Sequence, residues 1–138
     1  MSNRLAIRSC AGWLLAPVLF SMILTGCGGS PKPVCAMTAF NVSPNTATIS
    51  HTAVPPGNTQ HFAAFETAAT TGCAFPLSNL TTVTWTVSDP VNVSISNATA
   101  DNGTATCHAA TAGAVTLTGT APAGNGANIT NTASLTCN

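Results

Sequence analysis

TTVTWTV, residues 81–87, is the segment that decides the fold. Val83, Trp85 and Val87 alternate with threonines, so an extended chain here has one apolar face and one polar face. A period of two is typical of a β-strand with one buried face, and Val and Thr are themselves frequent in strands. The segment therefore predicts a strand that packs Trp85 into a hydrophobic core.

Further short alternating runs lie on both sides of this strand, and no helical periodicity is found after Val34. Turn signals separate the runs, and Asn102-Gly103 is typical of a tight hairpin turn because both residues tolerate positive φ. Phe62 and Phe65 stand three residues apart, which predicts a bulge or a strand end between them. Seven or eight strands in about 100 residues predict an all-β sandwich. The runs cover residues 40–42, 46–50, 59–65, 81–87, 91–95, 105–109, 113–117 and 133–137.

Charge is scarce: 4% of the 138 residues are charged and the formal net charge is zero. Beyond position 26, Lys32 is the only Lys or Arg, against three acidic residues. Binding of nucleic acid requires a basic surface that neutralises phosphates. The composition therefore predicts no nucleic-acid partner, and a surface that Thr, Ser and Asn keep hydrated.

The first 26 residues have the layout of an export signal. Arg4 and Arg8 precede an apolar stretch over residues 11–24 that contains Pro17 and Ser21. A membrane-spanning helix needs about 20 apolar residues, whereas a stretch of this length is typical of a signal peptide. We expect a helical signal that is cleaved; an uncleaved anchor helix is the alternative.

Leu24-Thr25-Gly26-Cys27 resembles the lipobox of bacterial lipoproteins. The resemblance implies that the Cys27 thiol receives a diacylglycerol, that residues 1–26 are removed, and that the new amino group is acylated. More than one acyl chain gives stable membrane anchoring. Gly28 at the next position, where an Asp would resemble an inner-membrane retention signal, favours the outer membrane in a cell with two membranes.

This organisation predicts three parts: the signal peptide 1–26, lipidated Cys27 with a flexible tether through residue 34, and a folded domain over 35–138. Within the domain, five segments in order resemble bacterial immunoglobulin-like domains of the group 2 type, over residues 38–137. The resemblance implies an immunoglobulin-like β-sandwich with Trp85 in its core. The insert 67–79 and the cysteines depart from the family pattern. The segments are Val42-Ser43-Pro44, residues 59–64, residues 83–88, residues 112–117 and Ala133-Ser134-Leu135.

Six cysteines are present. Cys10 lies in the predicted signal and Cys27 is the predicted lipid site, which leaves four in the exported domain. An even number in an exported chain predicts two disulfides, with three possible pairings. The four candidates are Cys35, Cys73, Cys107 and Cys137.

The resemblance to an immunoglobulin-like sandwich favours one of these pairings. In such a sandwich the start of the first strand lies at the same end as the loop after the second strand, which favours Cys35 with Cys73. The ends of the fifth and last strands lie at the opposite end, which favours Cys107 with Cys137. The other pairings remain open, and each bridge would contribute roughly 3–4 kcal/mol by the chain-entropy estimate.

Residues able to perform catalysis or bind a metal are few. His51, His61 and His108 lie on Thr-rich segments without the Met expected after a blue-copper cysteine, so we predict surface histidines and no metal site or cofactor. Asp89 and Asp101 lie near turns, where Asp is favoured for turn geometry. No nucleophile–base motif is present, so no catalytic residue and no enzyme are predicted.

The best candidate for a binding site is Phe75-Pro76-Leu77, apolar residues on a long loop next to Cys73. The alternative is that Phe75 and Leu77 cap the end of the core. We therefore expect a non-catalytic, lipid-anchored cell-envelope protein that acts as a binding or adhesion module toward an envelope protein or glycan. The alternative function is a structural accessory subunit or spacer in an envelope complex.

Overall fold

The structure is a computed structural model that describes residues 34–73 and 79–138. The predicted signal segment, the predicted lipidation site Cys27 and the predicted binding loop Phe75-Pro76-Leu77 lie outside the described residues. Within them there is no helix long and apolar enough to cross a membrane.

The described part of the chain is all-β, with nine strands and no helix. Alternation of buried and exposed side chains is clearest in the two long strands at the end of the chain. The strands are β1 Met37–Ser43, β2 Thr46–Ile49, β3 Thr59–His61, β4 Ala63–Ala69, β5 Thr84–Val87, β6 Val93–Ile95, β7 Thr104–Cys107, β8 Val115–Pro122 and β9 Asn128–Cys137.

The strands form the two layers of a sandwich. One layer is a four-stranded sheet in the order β2-β9-β8-β5, in which β2 and β9 are parallel. The other layer contains β1-β4 and β3-β7-β6, where β3 and β4 are successive parts of one chain segment interrupted at Phe62. Apart from β2, which lies beside β9 as an additional strand, this order matches that of constant-type immunoglobulin sandwiches. The predicted all-β sandwich is confirmed. The strand is interrupted at Phe62 itself and not between Phe62 and Phe65, since β4 runs without a break from Ala63 through Phe65.

The core lies between the layers and is formed by the inward positions of nearly every strand. Burial of such apolar side chains contributes roughly 1.5–3 kcal/mol each and is the main stabilising term for a domain of this size. The largest fully buried side chains are Phe62, Leu117, Leu135, Val93, Cys107 and Cys137.

Two disulfides cross-link the domain with the pairing expected from the sandwich arrangement. Cys35 is bonded to Cys73, with 5.7 Å between their Cα atoms. Cys107 at the end of β7 is bonded to Cys137 at the end of β9, with 5.8 Å between their Cα atoms. Since β7 and β9 belong to different layers, the second bond joins the two sheets covalently.

Two local predictions are wrong. Asn102-Gly103 does not form a two-residue turn: β6 and β7 are joined by a longer loop, and Gly103 N donates to Ser96 O at its base (2.9 Å). Gly103 does have the positive φ expected, +83°. Val91 was expected to share a buried face with Val93, but it is 82% exposed because the strand begins only at Val93. Neither the Asn102-Gly103 pair nor the alternation in residues 91–95 indicates at which residue strand pairing begins.

The two disulfides should differ in their resistance to reduction. Cys107 and Cys137 are each 1% exposed, whereas Cys35 is exposed and Cys73 is half-buried. We expect dithiothreitol under native conditions to reduce Cys35–Cys73 first, because a thiolate reaches a disulfide only where a sulfur is accessible. Alkylation followed by peptide mapping measures the order.

The matched variants are Cys35→Ser/Cys73→Ser and Cys107→Ala/Cys137→Ala. We expect the second to lower the free energy of unfolding by about 3–4 kcal/mol, and by more than the first because it also leaves space in the core. Equal reduction rates in the native protein would contradict the prediction.

Candidate functional site

The chain enters the sandwich at one of its two ends, here named the Cys35 end. Met37 pairs with Ala69 at the end of β4, and Met37 N donates to Ala123 O in the β8–β9 turn (2.8 Å). Cys73 is held at this end by its disulfide with Cys35. The segment leading to the predicted binding loop therefore starts from the same end as the predicted tether.

The opposite end, named the Cys137 end, contains the second disulfide and three connecting loops. His51 N donates to Asn138 O (2.9 Å), and His108 N donates to Asn92 O (2.8 Å). Val54 and Val91 are more than 80% exposed in two of these loops. Singly exposed apolar residues are common on protein surfaces and do not define a site.

Trp85 lies in the core and not on the surface, as the sequence predicted. Its side chain is 3% exposed, which excludes it as a platform for stacking a sugar. Gly119 on the neighbouring strand leaves room for the ring: a Cβ atom built there would lie 3.1 Å from Trp85 Cζ3. The indole therefore belongs to the scaffold.

Two asparagines of the β6–β7 loop bind the outer edge of β5. Asn97 Oδ1 accepts from Trp85 N (2.6 Å) and Asn97 Nδ2 donates to Trp85 O (3.0 Å). Asn102 Oδ1 accepts from Trp85 Nε1 (2.9 Å) and Asn102 Nδ2 donates to Val83 O (3.0 Å). Together these side chains supply the hydrogen bonds that a further strand would make, which protects an edge from pairing with another chain.

A cleft of about 190 Å³ lies beside this loop, with His61, Asn79, Thr81, Thr99 and Asn102 in its lining. Pockets for small molecules usually measure roughly 300–1,000 Å³. The cleft instead has the volume of about six water molecules. It therefore fits bound water better than an organic ligand.

The outer surface of the four-stranded sheet, here named the hydroxyl face, consists of threonine and serine. Rows cross the sheet in register: Thr84 pairs with Thr120 and Thr120 with Thr130. Neighbouring strands in a sheet are about 4.7–4.9 Å apart, so the rows present hydroxyls at close, regular intervals. The members are Thr46, Thr48, Thr84, Thr86, Thr116, Thr118, Thr120, Thr130, Thr132, Ser134 and Thr136.

The hydroxyl face carries no charged side chain within the described part of the chain, because Glu66 belongs to β4 in the other layer and Asp89 and Asp101 belong to loops. Pro122 and Asn128 stand at its margin, where β8 and β9 are joined. Each threonine hydroxyl can donate one hydrogen bond and accept others. The face is thus neutral and rich in hydrogen-bonding groups.

A groove of about 540 Å³ adjoins the hydroxyl face at Thr132. Three amide side chains, Asn41, Asn45 and Asn131, contribute to its lining together with Ser43 and Pro44. Asn131 Nδ2 donates to Phe40 O and Asn131 Oδ1 accepts from Thr132 N, so this amide is fixed in place. The volume lies within the usual range for small-molecule sites.

The three histidines considered as metal ligands do not form a cluster. His51, His61 and His108 bond to Asn138 O, Thr104 Oγ1 and Ser94 Oγ respectively. No group of three metal-ligating side chains is found among residues 34–73 and 79–138.

Asp89 has the turn role expected from the sequence. Asn92 Nδ2 donates to its carboxylate (2.8 Å), and Asn92 N donates to it as well (3.2 Å). The Asn92 side-chain hydrogen bond is the main cause that lowers the pKa of Asp89 below its ordinary value. The carboxylate is therefore fixed as a charged hydrogen-bond acceptor in the loop.

Comparison with known proteins identifies no family: no family model and no curated protein sequence matches this chain. The similarity to group 2 immunoglobulin-like domains and to lipoprotein signals remains a prediction from the sequence.

The asparagine contacts of β5 can be tested by substitution. Asn102→Ala should lower the free energy of unfolding by about 1–3 kcal/mol, because it leaves Trp85 Nε1 and Val83 O without their partner. Trp85 is the one tryptophan after residue 26, so its fluorescence during urea denaturation reports the change. An unchanged urea midpoint would contradict the proposed role of Asn102.

Glycine substitutions in the β6–β7 and β7–β8 loops provide a matched comparison. Gly103→Ala should also destabilise, since a Cβ there would lie 2.1 Å from Phe62 O at a φ of +83°. Gly113→Ala is the control, because a Cβ at Gly113 meets nothing within 4 Å. We expect the control to change stability by less than about 0.5 kcal/mol.

Proposed function

We propose that this chain is a non-catalytic, lipid-anchored protein of the bacterial cell envelope that binds a neutral glycan through the hydroxyl face and the groove beside it. The anchoring part rests on the lipobox-like segment Leu24-Thr25-Gly26-Cys27. The binding part rests on one observation: the outward positions of the four-stranded sheet are threonine and serine, next to a groove with three asparagines.

The chemistry of this surface suits an uncharged, polyhydroxylated ligand. Hydroxyl and amide groups both donate and accept hydrogen bonds, as sugar hydroxyls require. Charged polymers are a poorer match, because an anionic ligand needs cationic side chains to bind tightly. Affinity for each sugar unit would be modest, and a repeating polymer compensates by engaging several rows at once.

The position of the surface is compatible with anchoring. The predicted tether joins the domain at the Cys35 end, and the hydroxyl face runs along β8 and β9 toward the Cys137 end. A ligand can therefore approach the side of the domain while one end is held near a bilayer.

A non-catalytic role follows from the inventory of groups. The described carboxylates are Glu66 on β4, Asp89 in the β5–β6 loop and Asp101 in the β6–β7 loop. Glycoside hydrolysis needs two carboxyl groups that flank one bond. Nothing in the described surface offers this arrangement near the hydroxyl face, which supports binding without turnover.

Lipidation is tested with the full chain in a bacterial host fed radiolabelled palmitate. Cys27→Ser should abolish labelling and leave the signal uncleaved, because the thiol is the acceptor of the diacylglycerol. Cys10→Ser is the matched control within the signal segment, and we expect it to keep both labelling and cleavage. Labelling that survives Cys27→Ser would contradict the proposed anchor.

Glycan binding is tested with the processed full chain in detergent, applied to isolated envelope polysaccharide and to solubilised envelope proteins. Thr118→Val/Thr132→Val removes two central hydroxyls and keeps β-branched side chains; we expect glycan affinity to fall roughly tenfold or more. Thr67→Val/Thr106→Val in the other layer is the control and should bind like the parent.

The two alternatives give different outcomes in this experiment. Saturable retention on the polysaccharide that the Thr118→Val/Thr132→Val variant weakens supports the proposal. Retention of one defined membrane protein without glycan binding would instead identify an accessory subunit or spacer, and would refute the glycan proposal.

A further inference from the structure

The sequence contains two Asn-Gly pairs, Asn102-Gly103 and Asn125-Gly126. The second pair is exposed, whereas in the first pair Asn102 is half-buried and Gly103 is buried. An asparagine followed by glycine is the sequence most open to spontaneous deamidation, because glycine has no Cβ to hinder its backbone nitrogen. We propose that Asn125 is a site of spontaneous deamidation in the folded protein, and that the fold protects Asn102.

The chemistry needs only water. The Gly126 backbone nitrogen attacks Asn125 Cγ, a C–N bond forms, and the proton of the attacking nitrogen leaves with the side-chain NH₂ as ammonia. The resulting succinimide ring is opened by water, which breaks one of its two C–N bonds and yields aspartate or isoaspartate. No oxidant, metal or enzyme enters the balance.

Asn125 is held in a geometry that favours this attack. It lies in the exposed turn between β8 and β9, and Gly126 beside it is exposed with a φ of +86°. Asn125 Oδ1 accepts a hydrogen bond from Ala127 N (3.0 Å). This bond keeps the side chain folded back over the following residues and polarises the carbonyl that is attacked, and such positioning accelerates intramolecular reactions.

Asn102 is held in the opposite way. Its Oδ1 accepts from Trp85 Nε1 and its Nδ2 donates to Val83 O. Both ends of the side-chain amide therefore bond to Trp85 and Val83 and not to the backbone of the Asn102-Gly103 pair. The nitrogen that would attack is also engaged, because Gly103 N donates to Ser96 O (2.9 Å). Gly103 itself is buried. Reaction at Asn102 therefore requires the loop to open first.

The modification adds a carboxylate to a surface that has few charges. Beyond position 26 the formal charge is −2, from one Lys and three acidic residues, and deamidation of Asn125 makes it −3. The new charge appears at the Cys35 end, since Ala123 in the same turn accepts from Met37 N. This inference is independent of the proposed glycan binding.

The experiment incubates the processed full chain at mildly alkaline pH and follows both sites by peptide mapping and mass spectrometry. We expect Asn125 to convert to aspartate and isoaspartate. Asn102 should react at a rate roughly tenfold lower or lower still. After reduction and transfer to concentrated urea, the two rates should converge because the fold no longer separates them. Similar rates in the native protein, or no reaction at Asn125 while Asn102 reacts, would overturn the proposal.

Asn125→Gln is the matched variant, because the longer side chain forms the cyclic imide much less readily. It should remove the acidic species seen by isoelectric focusing and leave the urea midpoint of Trp85 fluorescence unchanged. Persistence of the acidic species in this variant would show that the charge arises elsewhere and would refute the assignment.

Discussion

The structure depends on the packing of one indole ring, that of Trp85 on β5, against the neighbouring strand β8. Trp85 fits against β8 only because Gly119 opposes it there, and it stays at the edge of its sheet only because Asn97 and Asn102 satisfy the polar groups that face outward. A buried aromatic contributes much of the apolar burial of a small domain. A donor left unpaired beside it would cost a comparable free energy. The burial of Trp85 in the core and the protection of the β5 edge therefore depend on the same set of contacts.

The outer surface of the same sheet shows how the chain compensates for its scarcity of charge. Most proteins keep sheet faces hydrated with charged side chains, whereas the hydroxyl face does so with Thr118 and its neighbours. Threonine also has a high strand propensity, so one residue type supports the strand and binds water. This explains how so neutral a sequence forms a two-layer sandwich, and it leaves an uncharged surface of hydrogen-bonding groups.

Much of the fold follows from local patterns in the sequence. The alternation in residues 81–87 locates the core strand and Trp85, and the resemblance to an immunoglobulin-like sandwich leads to the pairing of both disulfides. The protection of the β5 edge by asparagines could not be predicted. Asn97 and Asn102 bond to residues 12 to 19 positions away, and no periodic pattern in the sequence indicates such contacts. For the same reason Asn102-Gly103 was taken for a tight turn. Polar residues in the strands were visible, but not the registers that align them into the hydroxyl face.

The two disulfides also decide how the domain would behave under tension. A load applied between Cys35 and Cys137 passes through the bonds rather than around the chains they enclose, which have sequence separations of 38 and 30 residues. Only the chain between Cys73 and Cys107 remains extensible. At about 3.3–3.6 Å per residue this segment lengthens to roughly 110–120 Å. For a chain anchored and loaded as proposed, the domain can lengthen only to this fixed limit, and β1, β2, β3, β4, β8 and β9 remain inside covalent loops at full extension.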